Sequence, residues 1–98
     1  MSKASDKVNS QELYRAILSL ESEDECRRFF KDLCTIAELR AMEQRYDVAV
    51  LLDQGLVYSD IRERTGASSA TISRVNKALN YGEEGYKDVL RHMREQDS

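Results

Sequence analysis

Ser68, Ser69, Ala70, Thr71, Ser73, Arg74 and Lys77 fall within ten consecutive residues, and their types suit contact with a polyanion that also presents hydrogen-bonding edges. On a helix, Ser69, Ala70, Ser73, Arg74 and Lys77 stand at i, i+1, i+4, i+5 and i+8, which is one face, with Thr71 at its margin. Small side chains at the start of that face let the backbone come close to a groove. Hydroxyls can exchange hydrogen bonds with base edges or phosphates, and Ala70 and the Thr71 methyl fit against a thymine methyl. Arg74 can take guanine with two parallel N–H groups or grip a phosphate. Lys77, with Arg62 and Arg64 upstream, suits phosphate clamping. Together these residues point to double-stranded DNA as a partner. The bland reading of the same residues is capping for Ser68 and Ser69, and a solvated face for Arg62 and Lys77.

Something must hold that face outward. Ser59-Asp60-Ile61-Arg62-Glu63-Arg64-Thr65 reads as a short helix over 59–65 with Ser59 as its cap. Gly66 supplies the backbone freedom for a sharp turn, and Ser68 caps a second helix over 69–80. Ile72, Val75 and Leu79 share the inward face of that second helix, with Ile61 placed to meet them from the first. Two helices joined by a Gly-containing turn of three or four residues form a helix-turn-helix, here at 59–80. An α-hairpin in any bundle can show the same punctuation, so a docking surface for another protein stays open as the alternative.

The remaining residues read as a helical scaffold. There is no proline, and Gly55, Gly66, Gly82 and Gly85 fall where helices are expected to stop. Ser10 opens a first helix with Leu13, Ile17 and Leu20 on one face. Ser22-Glu23-Asp24-Glu25 is a capping box ahead of Cys26, Phe29, Phe30 and Leu33. A second box, Thr35-Ile36-Ala37-Glu38, opens the longest helix, about 36–54, which Gly55 ends as a left-handed cap. Leu39, Met42, Tyr46, Ala49, Val50 and Leu52 give that helix an apolar surface broad enough for burial on two sides. A subunit interface would do this, and so would the centre of a monomeric core. A last helix carries Tyr86, Val89, Leu90 and Met93. The expectation is an all-α chain with one helical domain over 10–95 and a flexible arm over 1–9.

Composition narrows the function classes. A chain of 98 residues has room for one domain and a thin core, since chains of this size bury only about two-thirds of their unfolded surface. The longest apolar run, Val48 to Leu52, is five residues, against about 20 for a membrane span, so no membrane partner is expected. Two cysteines, Cys26 and Cys34, match no zinc spacing and read as buried, reduced thiols of a cytoplasmic protein. His92 is the only histidine and reads as a surface residue between Arg91 and Arg94. No phosphate loop, metal cluster or nucleophile–base pair is evident, so an enzyme is not expected. The formal charge of −3 argues against loose polyanion binding, yet residues 58–81 hold Arg62, Arg64, Arg74 and Lys77 against Asp60 and Glu63 alone. That leaves a locally positive reading head on an acidic chain.

Gly66-Ala67-Ser68-Ser69-Ala70-Thr71-Ile72-Ser73-Arg74 resembles the recognition segment of the Trp repressor family. The likeness extends upstream through Thr35-Ile36-Ala37-Glu38-Leu39-Arg40, Gln44-Arg45 and Leu51-Leu52 with Gly55. Downstream, Arg74 to Gly82 resembles a subgroup of Trp-repressor-like bacterial proteins. The resemblance covers about residues 10–90. It implies an intertwined homodimer of six-helix subunits, with the helix beginning near Ser69 entering the major groove and Arg62, Ser69, Ala70, Thr71, Ser73 and Arg74 facing DNA. Two such helices about 34 Å apart would match a palindromic operator. In the tryptophan-binding members of the family, the ligand wedges between core and reading head. By resemblance, Thr35 falls near the polar end of that ligand, and Arg45 and Arg74 fall where two arginines sandwich its ring. Val75 stands where those members use a glycine, however, and Ala78 replaces a serine that helps hold the ligand. Three added carbons crowd a pocket wall that tolerates even one poorly, so no tryptophan corepressor or other cofactor is expected.

Overall fold

The computed structural model describes residues 10–97, and the arm expected over 1–9 lies outside them. Six helices follow one another, with no strand among the described residues: α1 Ser10–Leu18, α2 Glu23–Leu33, α3 Ile36–Asp53, α4 Tyr58–Thr65, α5 Ser69–Tyr81 and α6 Gly85–Asp97. The all-α, six-helix expectation holds among the described residues, and the helices expected over about 36–54, 59–65 and 69–80 each lie within one residue of those limits. The chain forms two compact units, one up to Ile36 and one from Ala37 onward.

In the first unit, α2 starts where its capping box predicts. Ser22 Oγ accepts from Glu25 N–H at 3.0 Å, while the Glu25 carboxylate reaches back one residue further than in the simplest box, to Glu21 N–H at 2.9 Å. Phe29 and Phe30 meet edge to face, 5.5 Å between ring centres. No residue between Gln11 and Leu33 is buried. Cys26 and Cys34 are free, as expected, but only half-buried where full burial was expected.

The second unit holds the core. Val48 and Ala49 of α3 pack with Ile61 of α4, Ala67 of the turn, and Ile72 and Val75 of α5, all at 1% exposure or less. Leu51, Leu52, Leu56 and Tyr86 close around them. The N-terminal half of α3 contributes nothing fully buried, and Met42 and Ile36 stay exposed. Gly55 ends α3 with φ +88°, Leu56 N–H bonded to Leu51 carbonyl and Gly55 N–H to Leu52 carbonyl, which together make a Schellman motif. Gly85 departs from expectation. It begins α6 instead of stopping a helix, and the left-handed residue in that linker is Glu84, at φ +69°.

α6 is tied to α3 by Arg94, which donates to Asp53 at 2.6 Å, and Leu90 is buried along its inner side. His92 is exposed, as expected.

Candidate nucleic-acid interface

Helix α4 is short because its ends are set locally. Its N-cap is Val57, without a side-chain cap bond, so Ser59 lies inside the first turn and does not cap the helix as expected. At the other end Gly66 takes φ +73° and its N–H closes on Arg62 carbonyl at 2.9 Å. Thr65 stiffens the turn in two ways. Its hydroxyl donates to Ile61 carbonyl at 2.7 Å and accepts from Ala67 N–H at 3.1 Å. Ala67, 1% exposed, anchors the turn in the core. Ser68 then caps α5, accepting from Thr71 N–H at 3.1 Å and donating to Thr71 Oγ1 at 3.1 Å.

Ile61, Ile72, Val75 and Leu79 are all buried, as the spacing predicts. Their burial turns the opposite side of α5 outward. Ser69, Ala70, Ser73, Arg74 and Lys77 are exposed, and Thr71 is half-buried at the margin. On α4, Arg62 and Arg64 are exposed as well. Two predicted residues meet directly: Arg62 Nη1 donates to Ser69 Oγ at 2.8 Å across the turn. Ser68 is committed to capping, so its hydroxyl supports the helix start first.

The electrostatics of this face differ from the rest of the chain. Elsewhere six basic side chains pair with carboxylates, Arg15 with Glu12, Arg27 with Glu23, Arg28 with Asp24, Lys87 with Glu84, Arg91 with Asp88 and Arg94 with Asp53, while Lys31, Arg40 and Arg45 form no ion pair among the described residues. Among the described residues, no ion pair involves α4 or α5. Arg62, Arg64, Arg74 and Lys77 therefore keep their charge outward, and the first N–H groups of α5 add a further positive end.

The residues implied for a tryptophan pocket are placed less uniformly. Thr35 is exposed in the first unit; in the second, Arg45 is half-buried, Arg74 exposed and Val75 buried. The Val75 side chain already lies in the core cluster.

One positioning residue escaped sequence reasoning. Gln44 of α3 donates from Nε2 to Thr65 carbonyl at 3.1 Å, bridging 21 residues and holding the turn of the reading head to the long helix. Gln44 stands in the stretch that resembles the family, but nothing in local spacing says which carbonyl it will meet. Among the described residues there is no cluster of His, Cys, Asp and Glu suited to a metal ion, and no helix long and apolar enough to cross a membrane.

A six-helix chain that turns a small-residue, basic face outward from a helix-turn-helix falls in the class of DNA-reading helical proteins. The family profile described as Trp repressor protein matches residues 9–94. The chain belongs to the Trp repressor family, a regulatory DNA-binding family. It is 46% identical over 96 residues to the uncharacterized protein YerC of Bacillus subtilis strain 168, covering 95% of this chain and 92% of that one. A TrpR-like protein from Eubacterium eligens ATCC 27750 superposes with TM-score 0.82 at 51% identity, over 85% of this chain and 86% of the other. A candidate Trp repressor from Staphylococcus aureus gives TM-score 0.83 at 45% identity, over 86% and 84% of the two chains.

Proposed function

We propose that this chain is a sequence-specific transcription regulator, acting as a repressor, whose homodimer binds a palindromic operator in the cytoplasm. The observation that carries the reading is the unpaired basic face. Every ion pair among the described residues lies outside α4 and α5, so Arg62, Arg64, Arg74 and Lys77 are left for phosphates and base edges. Ser69, Ala70, Thr71, Ser73 and Arg74 form the surface that faces DNA, with Arg62 and Lys77 as backbone clamps and Ser68 holding the helix start.

The open apolar surface supports the dimer. Leu18 is 84% exposed, Ile36 73%, Tyr14 60% and Leu33 50%. A helical unit with no buried residue among those described gains cover from a partner, and a second copy supplies the same apolar surface in return. Tryptophan has no part in this reading, because by resemblance Val75 stands where the tryptophan-binding members use a glycine, and its buried side chain supports a pocket closed to the ring.

Selection of bound duplexes from a random library tests the proposal. The expected motif is a palindrome whose half-sites are centred about 10 base pairs apart, or a multiple of that turn. Binding should weaken steeply with salt, by a slope near −0.9 per phosphate contact. A pool that shows no enrichment over background refutes DNA recognition. Stoichiometric capture of a protein from nuclease-treated lysate would then favour the docking alternative.

A further inference from the structure

The bond across the turn assigns Ser69 a role different from the one its position suggests. We propose that Ser69 is a positioning residue for Arg62: its hydroxyl holds the guanidinium ready for the DNA backbone, and Ser69 acts through Arg62 and not by reading a base. The inference rests on the DNA-binding reading above.

The geometry is specific. Arg62 lies on α4 and Ser69 is the first residue of α5, seven positions on, and Nη1 donates to Oγ at 2.8 Å. Ser68, the neighbouring hydroxyl, is taken up by the cap, accepting from Thr71 N–H and donating to Thr71 Oγ1. Ser69 is therefore the hydroxyl at this helix start that remains for Arg62. Asp60 and Glu63 share α4 with Arg62, yet neither forms an ion pair with it among the described residues, so the neutral hydroxyl orients the guanidinium without cancelling its charge. A guanidinium carries five N–H donors in a planar fork. One is held by Ser69 and four remain for a phosphate. A long, flexible cation otherwise loses rotamer freedom on contact, and a side chain ordered beforehand loses less. Arg62 can also keep the bond when bound, because the hydroxyl occupies one donor only.

The test is a double-mutant cycle on binding to the duplex selected by the wild-type protein, with Ser69→Ala, Arg62→Ala and both together. Ser69→Ala is expected to weaken binding about fivefold, the scale of one net hydrogen bond. Its salt dependence and base preference should not change. Arg62→Ala is expected to weaken binding more and to reduce the salt slope by about 0.9. The double variant should bind like Arg62→Ala. Ser69→Thr, which keeps a hydroxyl, should restore wild-type affinity. Both side chains are exposed, and equal melting temperatures for all variants will show that folding is not the cause. Additive losses, or a changed base preference in Ser69→Ala, overturn the proposal. A readout without DNA separates this failure from that of the underlying reading. In the free protein, the Arg62 guanidinium should rotate slowly by NMR and freely in Ser69→Ala; free rotation in the wild type also overturns the proposal. Slow rotation in a protein that selects no duplex refutes DNA recognition itself, and with it any action of Ser69 on DNA.

Discussion

Replacing Val75 tests whether one core side chain both stabilises the reading head and excludes a ligand. Val75 is 1% exposed and packs with Val48, Ala49, Ile61, Ala67 and Ile72. Val75→Ala removes two methyl carbons, worth about 1.6 kcal/mol at the usual transfer value per carbon. The cavity left in a core that relaxes only in part raises the expected loss to about 2–3 kcal/mol. Val75→Gly removes a third carbon and adds the helix penalty of glycine, about 1 kcal/mol, for a total of roughly 4 kcal/mol. For a domain of this size the alanine change should lower the melting temperature by roughly 10–20 °C. Urea and thermal unfolding at one fixed protein concentration measure both losses, the fixed concentration being needed because dimer stability depends on it. The glycine variant is then titrated with tryptophan. The chain has no tryptophan of its own, so ligand fluorescence is read without background. If Val75 occupies the ring's place, tryptophan should stabilise Val75→Gly, by about 2.7 kcal/mol at a hundredfold excess over Kd, and leave the wild type unchanged. A loss under about 0.5 kcal/mol for Val75→Ala would refute the packing argument, since a value so small is typical of surface positions. Full destabilisation of Val75→Gly with no response to millimolar tryptophan would refute the pocket-filling argument alone.

The two turn glycines fail for different reasons when substituted. Gly66→Ala meets open space, the nearest atom being Gln44 Nε2 at 4.0 Å, so its expected loss of about 1–2 kcal/mol comes from the left-handed φ of +73°. At Gly82 the backbone is ordinary in φ but an added Cβ would lie 2.3 Å from Ala78 carbonyl oxygen, so urea unfolding of Gly82→Ala should show a larger loss than Gly66→Ala. Equal losses would contradict this ordering. Gln44→Met keeps the side chain's length and removes its donor to Thr65 carbonyl; about 1–2 kcal/mol of stability should go with it, together with faster amide exchange in residues 65–68. On selected DNA, Lys77→Ala should weaken all sequences alike and lower the salt slope by about one, whereas Arg74→Ala should relax discrimination at one base pair by about 1–3 kcal/mol. Uniform weakening by Arg74→Ala would reassign it to the backbone.

Much of the fold was legible because helix ends are local chemistry. Ser22 and Ser68 cap where their hydroxyls predict, and Gly55 and Gly66 adopt the left-handed conformation that few other residues enter without strain. The inward stripe of Ile61, Ile72, Val75 and Leu79 followed from helical spacing, and its burial decided which residues face out. The errors came where local signals compete. Ser59 has the chemistry of a cap, but the helix begins earlier, at Tyr58, with Val57 as its cap residue. Gly85 has the freedom of a stop signal, but Glu84 takes the left-handed turn and Gly85 opens α6.

The outward face of α5 was settled by sequence alone, because a period of 3.6 residues places Ser69, Ala70, Ser73, Arg74 and Lys77 together whatever surrounds the helix. What those residues are free to do was decided by tertiary structure. The hydrogen bond from Arg62 to Ser69 and the hold of Gln44 on Thr65 carbonyl join positions 7 and 21 residues apart. Such bonds depend on how one helix is set against another, a geometry that side-chain spacing within either helix does not contain. The absence of ion pairs on α4 and α5, among the described residues, is of the same kind. Asp60 and Glu63 are close to Arg62 and Arg64 in sequence, and only the folded chain shows that these charges do not pair.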